Sequence, residues 1–152
     1  MREILFRGKR TDNGEWETGS LVVIRGGCSD EQIYIADKMT GYKTPVHKET
    51  IGQYTGLTDK NGTKIFEGDI VTGYFNYEKI IGYIFYGGNA QFFIQRDGIL
   101  GIGLDNADCW LEVVGNIYDN PELLGEPMKP ASKNVAQSGL APATENFELL
   151  EG

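Results

Sequence analysis

The chain has 152 residues, a length suited to one domain with a single core, and sets 14 lysines and arginines against 22 aspartates and glutamates for a formal net charge of -8. That balance repels a phosphate backbone, no apolar run approaches the ~18 residues of a membrane span, and two cysteines with one histidine are too few to build a Cys/His zinc site. The 21 glycines and 11% aromatic residues, without a sustained helical period, favour strands joined by tight turns.

Ile4 to Phe6 reads as a short strand, and Thr11-Asp12-Asn13-Gly14 as the turn of a first hairpin leading to Trp16. Arg7, Lys9 and Arg10 form the one basic cluster, but Asp12, Glu15 and Glu17 follow at once, so the cluster reads as a solvated strand end with its charge cancelled. Leu21-Val22-Val23-Ile24 suits a strand covered on both faces; Gly26-Gly27 ends it, and Ile33-Tyr34-Ile35 is its return. Between Gly41 and Tyr54 the periodicity weakens, which implies irregular chain with a short strand at Gln53-Tyr54. Asn61-Gly62 then sits where a positive φ costs least, and predicts a hairpin turn between residues 54–57 and Ile65-Phe66.

From Gly68 onward strand follows strand. In the segment from Asp69 to Tyr77, Val71, Phe75 and Tyr77 alternate with Ile70, Thr72 and Tyr74. Ile80 to Tyr86, a turn at Gly87-Gly88-Asn89, Phe92 to Arg96 and Val113 to Ile117 complete the series. Short strands with glycine corners predict a five-stranded SH3-like barrel over residues 66–118, with Val71, Phe75, Ile84 and Ile117 inside. Asn120, as a cap, and Pro121 open a single helical turn over residues 119–124. Beyond it, Pro127, Pro130, Ser132, Ser138 and Pro142 mark residues 125–152 as a flexible tail whose only sizeable apolar cluster is Phe147, Leu149 and Leu150. The expected organisation is thus mainly β: hairpins over residues 1–65, the barrel, the helical turn and the tail.

Three stretches carry a resemblance. Phe6-Arg7-Gly8-Lys9 with Gly14-Glu15-Trp16 and Gly19-Ser20-Leu21, the segment from Gly52 to Gly62 with Ile65-Phe66-Glu67-Gly68-Asp69-Ile70-Val71, and the ending from Gly115 to Leu124 resemble the YopX-like proteins. The likeness spans residues 1–124 and leaves the tail out. It implies a β-rich protein encoded by a phage or prophage, and brings no assigned activity with it.

The residues themselves offer little chemistry. His47, the single histidine, lies beside Lys48 and Glu49 and reads as a surface residue rather than a catalytic base. Glu67 and Asp69 flank Gly68, where an aspartate accepting backbone N–H bonds at a bend is the plainer role. The Asp59-Lys60-Asn61-Gly62 and Asp12-Asn13-Gly14-Glu15 stretches lack the further ligands of a calcium loop, and the paired glycines lack the lysine and helix of a phosphate cradle. Cys28 and Cys109 read as reduced thiols, and no cofactor is expected. Tyr74, Tyr77, Tyr83 and Tyr86 are the candidate binding residues: ordinary cross-strand pairs, a protein interface, or a stacking platform for bases. The expectation is a non-enzymatic accessory protein of the bacterial cytoplasm. It would act through contacts with a protein partner or a further copy, without a membrane, while nucleic-acid binding is disfavoured. A single-stranded nucleic-acid binder using the tyrosines is the alternative.

Overall fold

A computed structural model describes residues 1–28, 30–96 and 99–125. Among these residues eleven strands make two antiparallel sheets. The first sheet holds β1 (Phe6–Lys9), β2 (Trp16–Arg25), β3 (Glu31–Ala36), β4 (Lys43–Pro45), β5 (Gly52–Thr58) and β6 (Lys64–Phe66), in the order β4-β3-β2-β1-β5-β6. The second holds β7 (Asp69–Phe75), β8 (Glu78–Tyr86), β9 (Phe92–Arg96), β10 (Ile99–Ile102) and β11 (Glu112–Asn116), ordered β10-β9-β8-β7-β11. A four-residue helix, α1 (Ala107–Trp110), and 3-10 turns at Lys48–Thr50 and Pro121–Leu124 complete the domain. The mainly β class and the closing helical turn agree with the sequence. The second sheet has the strand number expected of the barrel, with β10 and β11 at its edges. Of residues 125–152, read as a flexible tail, all but Gly125 lie outside the described residues.

The β7–β8 register pairs Val71 with Gly82 and Gly73 with Ile80, and β8 pairs Ile84 with Ile94 of β9. Strand alternation therefore puts Val71, Ile80, Ile84 and Ile94 on one face, where they form the core with Ile65, Leu104, Ala107 and Leu111. Ile65 reaches that core from β6, while its neighbour Phe66 points the other way into a small cluster with Leu5 and Tyr54. Two adjacent residues of one short strand thus join the sheets.

The hairpin turn before β6 is where the sequence was sharpest. Gly62 has a φ of +83°, and its N–H donates to the Asp59 carbonyl at 3.0 Å. Asp59 organises the rest: its Oδ1 accepts from the N–H groups of Asn61 and Thr63, both at 2.9 Å, and its Oδ2 from the N–H of Val113 at 2.9 Å. The Lys60 N–H adds a bond to the Leu111 carbonyl. The turn of the first sheet is thereby fastened to the outer edge of β11, and a strand edge that would otherwise offer free N–H groups is covered. Burial would raise the Asp59 carboxyl, but the three N–H donors outweigh it and hold it below the usual carboxylate range.

Several expectations change. Val23 and Ile24 are exposed, so the strand from Leu21 is not covered on both faces. The reason is pairing length: β1 reaches only residues 16–19 of β2, and β4 only residues 34–36 of β3, so the far end of the β2–β3 ribbon projects without a layer over it. Phe75 lies on the inner face by register but at the strand's end, partly exposed against the Trp110 ring at 5.6 Å, and Ile117 falls beyond β11, half-buried. Leu5 is buried while Ile4 is exposed, and β1 begins later than the strand expected at residues 4–6. The side chain of Asn120 makes no cap bond to the turn it precedes; its Oδ1 accepts from the Asn116 N–H instead.

The Asp59 turn gives a direct test. A Cβ on Gly62 would meet no atom, so Gly62→Val strains the backbone alone and is expected to lower the unfolding free energy by about 1 kcal/mol. Urea melts of the two proteins measure it, and equal stability would mean that the left-handed corner is not what fixes the turn.

Candidate functional site

The stretches singled out in the sequence meet in space around Arg7. Its guanidinium carbon lies 4.6 Å from the Trp16 ring centroid and 4.8 Å from that of Phe66, so the cation is held between two aromatic rings. Nη2 lies 2.8 Å from Asp69 Oδ1, and the other carboxylate oxygen, Oδ2, accepts from the Phe66 N–H at 2.7 Å. Asp69 is buried at 2% exposure, which pushes its carboxyl up while Arg7 and the Phe66 N–H pull it down. Arg7 Nε is buried and makes no hydrogen bond, the two rings occupying its flanks. The expectation that Arg7 belongs to a solvated, self-cancelling strand end is corrected here: only Arg10 is met by its neighbours, Asp12 and Glu17, whereas Arg7 is drawn inward by a carboxylate from β7. The role expected of Asp69, accepting a backbone N–H at the bend, is the one observed.

Around this pair the C-terminal motif closes. Asp119 accepts from Trp16 Nε1 at 2.8 Å through Oδ2, forms an ion pair with Lys9 through Oδ1, and also receives a bond from the Asn116 side chain. Hydrogen bonds from Lys9 and then Trp16 bring its carboxyl down to about 2. Tyr118 packs against Trp16 with centroids 5.8 Å apart and lies against Gly68. Burial raises both the Tyr118 phenol and the carboxyl of Glu67, whose Oε1 accepts from the Gln53 N–H at 3.3 Å. The ion pairs and hydrogen bonds here hold strands from both sheets together, so the cluster is a fastening.

The four tyrosines are not brought to one place. Tyr74 and Tyr83 share the outer face of the second sheet, opposite Lys79 and Ile70 of the neighbouring strand respectively. Tyr86 falls on the other face, edge-on to Phe92 at 5.1 Å. Tyr77 stands fully exposed in the two-residue turn between β7 and β8, where Asn76 and Tyr77 have φ values of 52° and 67°. A left-handed aromatic residue is costly in a turn type that prefers glycine at that position.

The outer face carries more than tyrosine. Phe85 and Phe93 stack at 5.7 Å beside Tyr83, and a groove of about 450 Å³ runs between Thr72, Lys79, Ile81, Val114 and Leu123. Val114 is turned outward at a bulge in β11, and Leu123 comes from the closing 3-10 turn. Sequence reasoning missed Ile81, Val114 and Leu123 as surface residues because an outward apolar residue on a strand looks the same in sequence as a core one.

Elsewhere His47 is exposed, its backbone N–H donating to the Lys9 carbonyl, and Cys28 and Cys109 are exposed. Among the described residues no group of three or more His, Cys, Asp or Glu side chains is placed to hold a metal ion, and no helix is long and apolar enough to cross a membrane.

The family model described as YopX protein matches residues 5–125, from the buried Leu5 to the end of the closing turn. The chain belongs to the YopX family. Among solved structures, protein EF1440 from Enterococcus faecalis is similar at 25% identity and a TM-score of 0.50, over 82% of this chain and 99% of that one. Protein yopX from Bacillus subtilis is similar at 17% identity and a TM-score of 0.46, over the same shares. No curated protein matches. The YopX match takes in all the residues of the Arg7 cluster and stops at Gly125, the first residue of the tail, one position past where the resemblance ended.

Three outcomes follow for this YopX domain. Removing one partner of a buried ion pair leaves the other uncompensated, so Asp69→Ala is expected to cost about 3 kcal/mol or more in denaturant melts. Arg7→Lys should recover little of the wild-type stability, since an ammonium cannot stack between two rings as a guanidinium does. Asp119 has a depressed folded-state pKa, so the stability it contributes is present above the ordinary carboxylate value and is lost as pH falls toward about 2. Trp16 fluorescence in a Trp110→Phe background should therefore change between about pH 4 and 2. A flat signal there would mean that Asp119 does not hold the indole.

Proposed function

We propose that the domain is a non-enzymatic accessory protein that works by protein contact through the outer face of its second sheet, in the cytoplasm of a bacterium carrying the phage or prophage that encodes it. The observation that carries this reading is Tyr77: a fully exposed aromatic side chain kept at a φ of 67°, at the end of an apolar face that includes Tyr74, Ile81 and Val114. Backbone strain of order 1–3 kcal/mol at an exposed aromatic residue makes no sense for packing, because the side chain touches no core. It does make sense for contact, since tyrosine offers large area at low entropic cost. The apolar groove beside it is of the kind that marks an interaction surface. The phage setting is supported by the resemblance alone.

Stability and contact separate in one experiment. Tyr77→Gly is expected to leave the fold at least as stable, because glycine accepts the left-handed turn. With a photo-crosslinking residue at Tyr74, the wild-type chain in phage-carrying cells should give protein adducts of discrete mass, and Tyr77→Gly should reduce them about tenfold, a loss of some 1.4 kcal/mol in affinity. Adducts that disappear on nuclease treatment, with oligonucleotide binding that collapses as salt rises, would replace this reading with the nucleic-acid one.

A further inference from the structure

Resting on that reading of the outer face, we infer that the chain's own segment 146–151 is an occupant of the groove between Ile81, Val114 and Leu123, so that the contact surface is covered in cis until a partner displaces it. Three observations point to this occupant. Leu123 is itself a wall of the groove, and the described chain ends at Gly125, two positions on, so the tail begins at the groove. The segment Asn146-Phe147-Glu148-Leu149-Leu150-Glu151 holds the tail's only cluster of large apolar side chains, Phe147, Leu149 and Leu150, and the groove's lining is mostly apolar. Its two glutamates suit Lys79, the basic residue at the groove, on a protein whose net charge of -8 otherwise disfavours an acidic ligand.

Reach and strength are both adequate. Residues 126–145 lie between Gly125 and the segment, and about 20 residues, were they to behave as a coil, would span roughly 25 Å, enough to return to a site beside Gly125. Tethering at that length gives an effective concentration in the millimolar range, so a segment whose free affinity is only about millimolar would occupy the groove for a large part of the time. A separate partner with micromolar affinity would still displace it. The arrangement would screen an exposed apolar face that otherwise invites non-specific association.

The experiment uses the full chain, purified, with Ile81→p-benzoylphenylalanine. Irradiation is expected to join the peptide containing position 81 to the peptide containing residues 146–151 within one chain, at monomer mass, and the Leu149→Glu/Leu150→Glu double variant should lower the yield at least fivefold. The same label at Met39, exposed in the turn between β3 and β4, should give no such product. Absence of the intrachain product, its persistence in the double variant, or its appearance only at dimer mass would overturn the inference. Because purified protein contains no partner, this failure is distinct from loss of the partner adducts in cells, which would strike the protein-contact reading itself.

Discussion

Arg7 and Asp69 are the contact on which the arrangement of the two sheets depends. A guanidinium is the one cation that can both stack between the rings of Trp16 and Phe66 and donate to a carboxylate in the same plane, and the carboxylate it meets is already committed to the Phe66 N–H. The pair thus ties β1, β2, the end of β6 and the start of β7 at one point. In a protein of this size a buried ion pair is not cheap to keep. Its geometric demands are what it contributes: a shift of β7 along β1 would leave a buried charge unanswered, whereas apolar residues at the same positions would tolerate several registers.

The second tie works through the backbone instead of side-chain charge. Asp59 gives both of its oxygens to main-chain N–H groups, two in its own turn and one in β11. The two ties stand at opposite ends of β6, with Asp59 in the turn before it and Asp69 at the bend after it, and between them Ile65 and Phe66 send their side chains to different cores. A strand of three residues can join two sheets because each of its ends is pinned by a carboxylate. The outer face of the second sheet takes no part in either tie, which leaves its side chains open to selection for contact.

What the sequence disclosed follows the range of the interactions involved. Asn61-Gly62 and the alternation through Val71 and Ile84 are set by local backbone chemistry and by a period of two, and both were legible. No element is assigned between Arg96 and Val113 in the sequence, although Leu104, Ala107 and Leu111 fall at i, i+3 and i+7 and supply part of the core. Gly103, Asp105 and Asn106 interrupt that signal. The Arg7 cluster was invisible as a cluster because its charges are answered from far along the chain, and sequence proximity favoured Asp12 and Glu17 as partners. The motifs that carried the resemblance to YopX-like proteins did contain Arg7, Trp16, Asp69, Tyr118 and Asp119. They identified the right residues without revealing that those residues touch. The four tyrosines lie apart for the reverse reason: closeness in sequence on two strands does not distinguish faces, and Tyr86 is on the other side.

Because the indole of Trp16 is bonded to a carboxylate 103 positions later, the domain has consequences for its own synthesis. A ribosome delivering this chain from the N-terminus presents β1 and β2 early, yet β1 is an interior strand that must wait for β5, and its arginine must wait for β7. Local hairpins can form as they emerge, but the fastening closes only when residue 119 leaves the exit tunnel. Until then an apolar ribbon and an unpaired strand edge are on offer to whatever is nearby. Loop-closure entropy makes such late, distant contacts slow to find. The closing turn therefore acts as a completion signal: the sheets are locked together only after the strands between residues 6 and 116 have all been made.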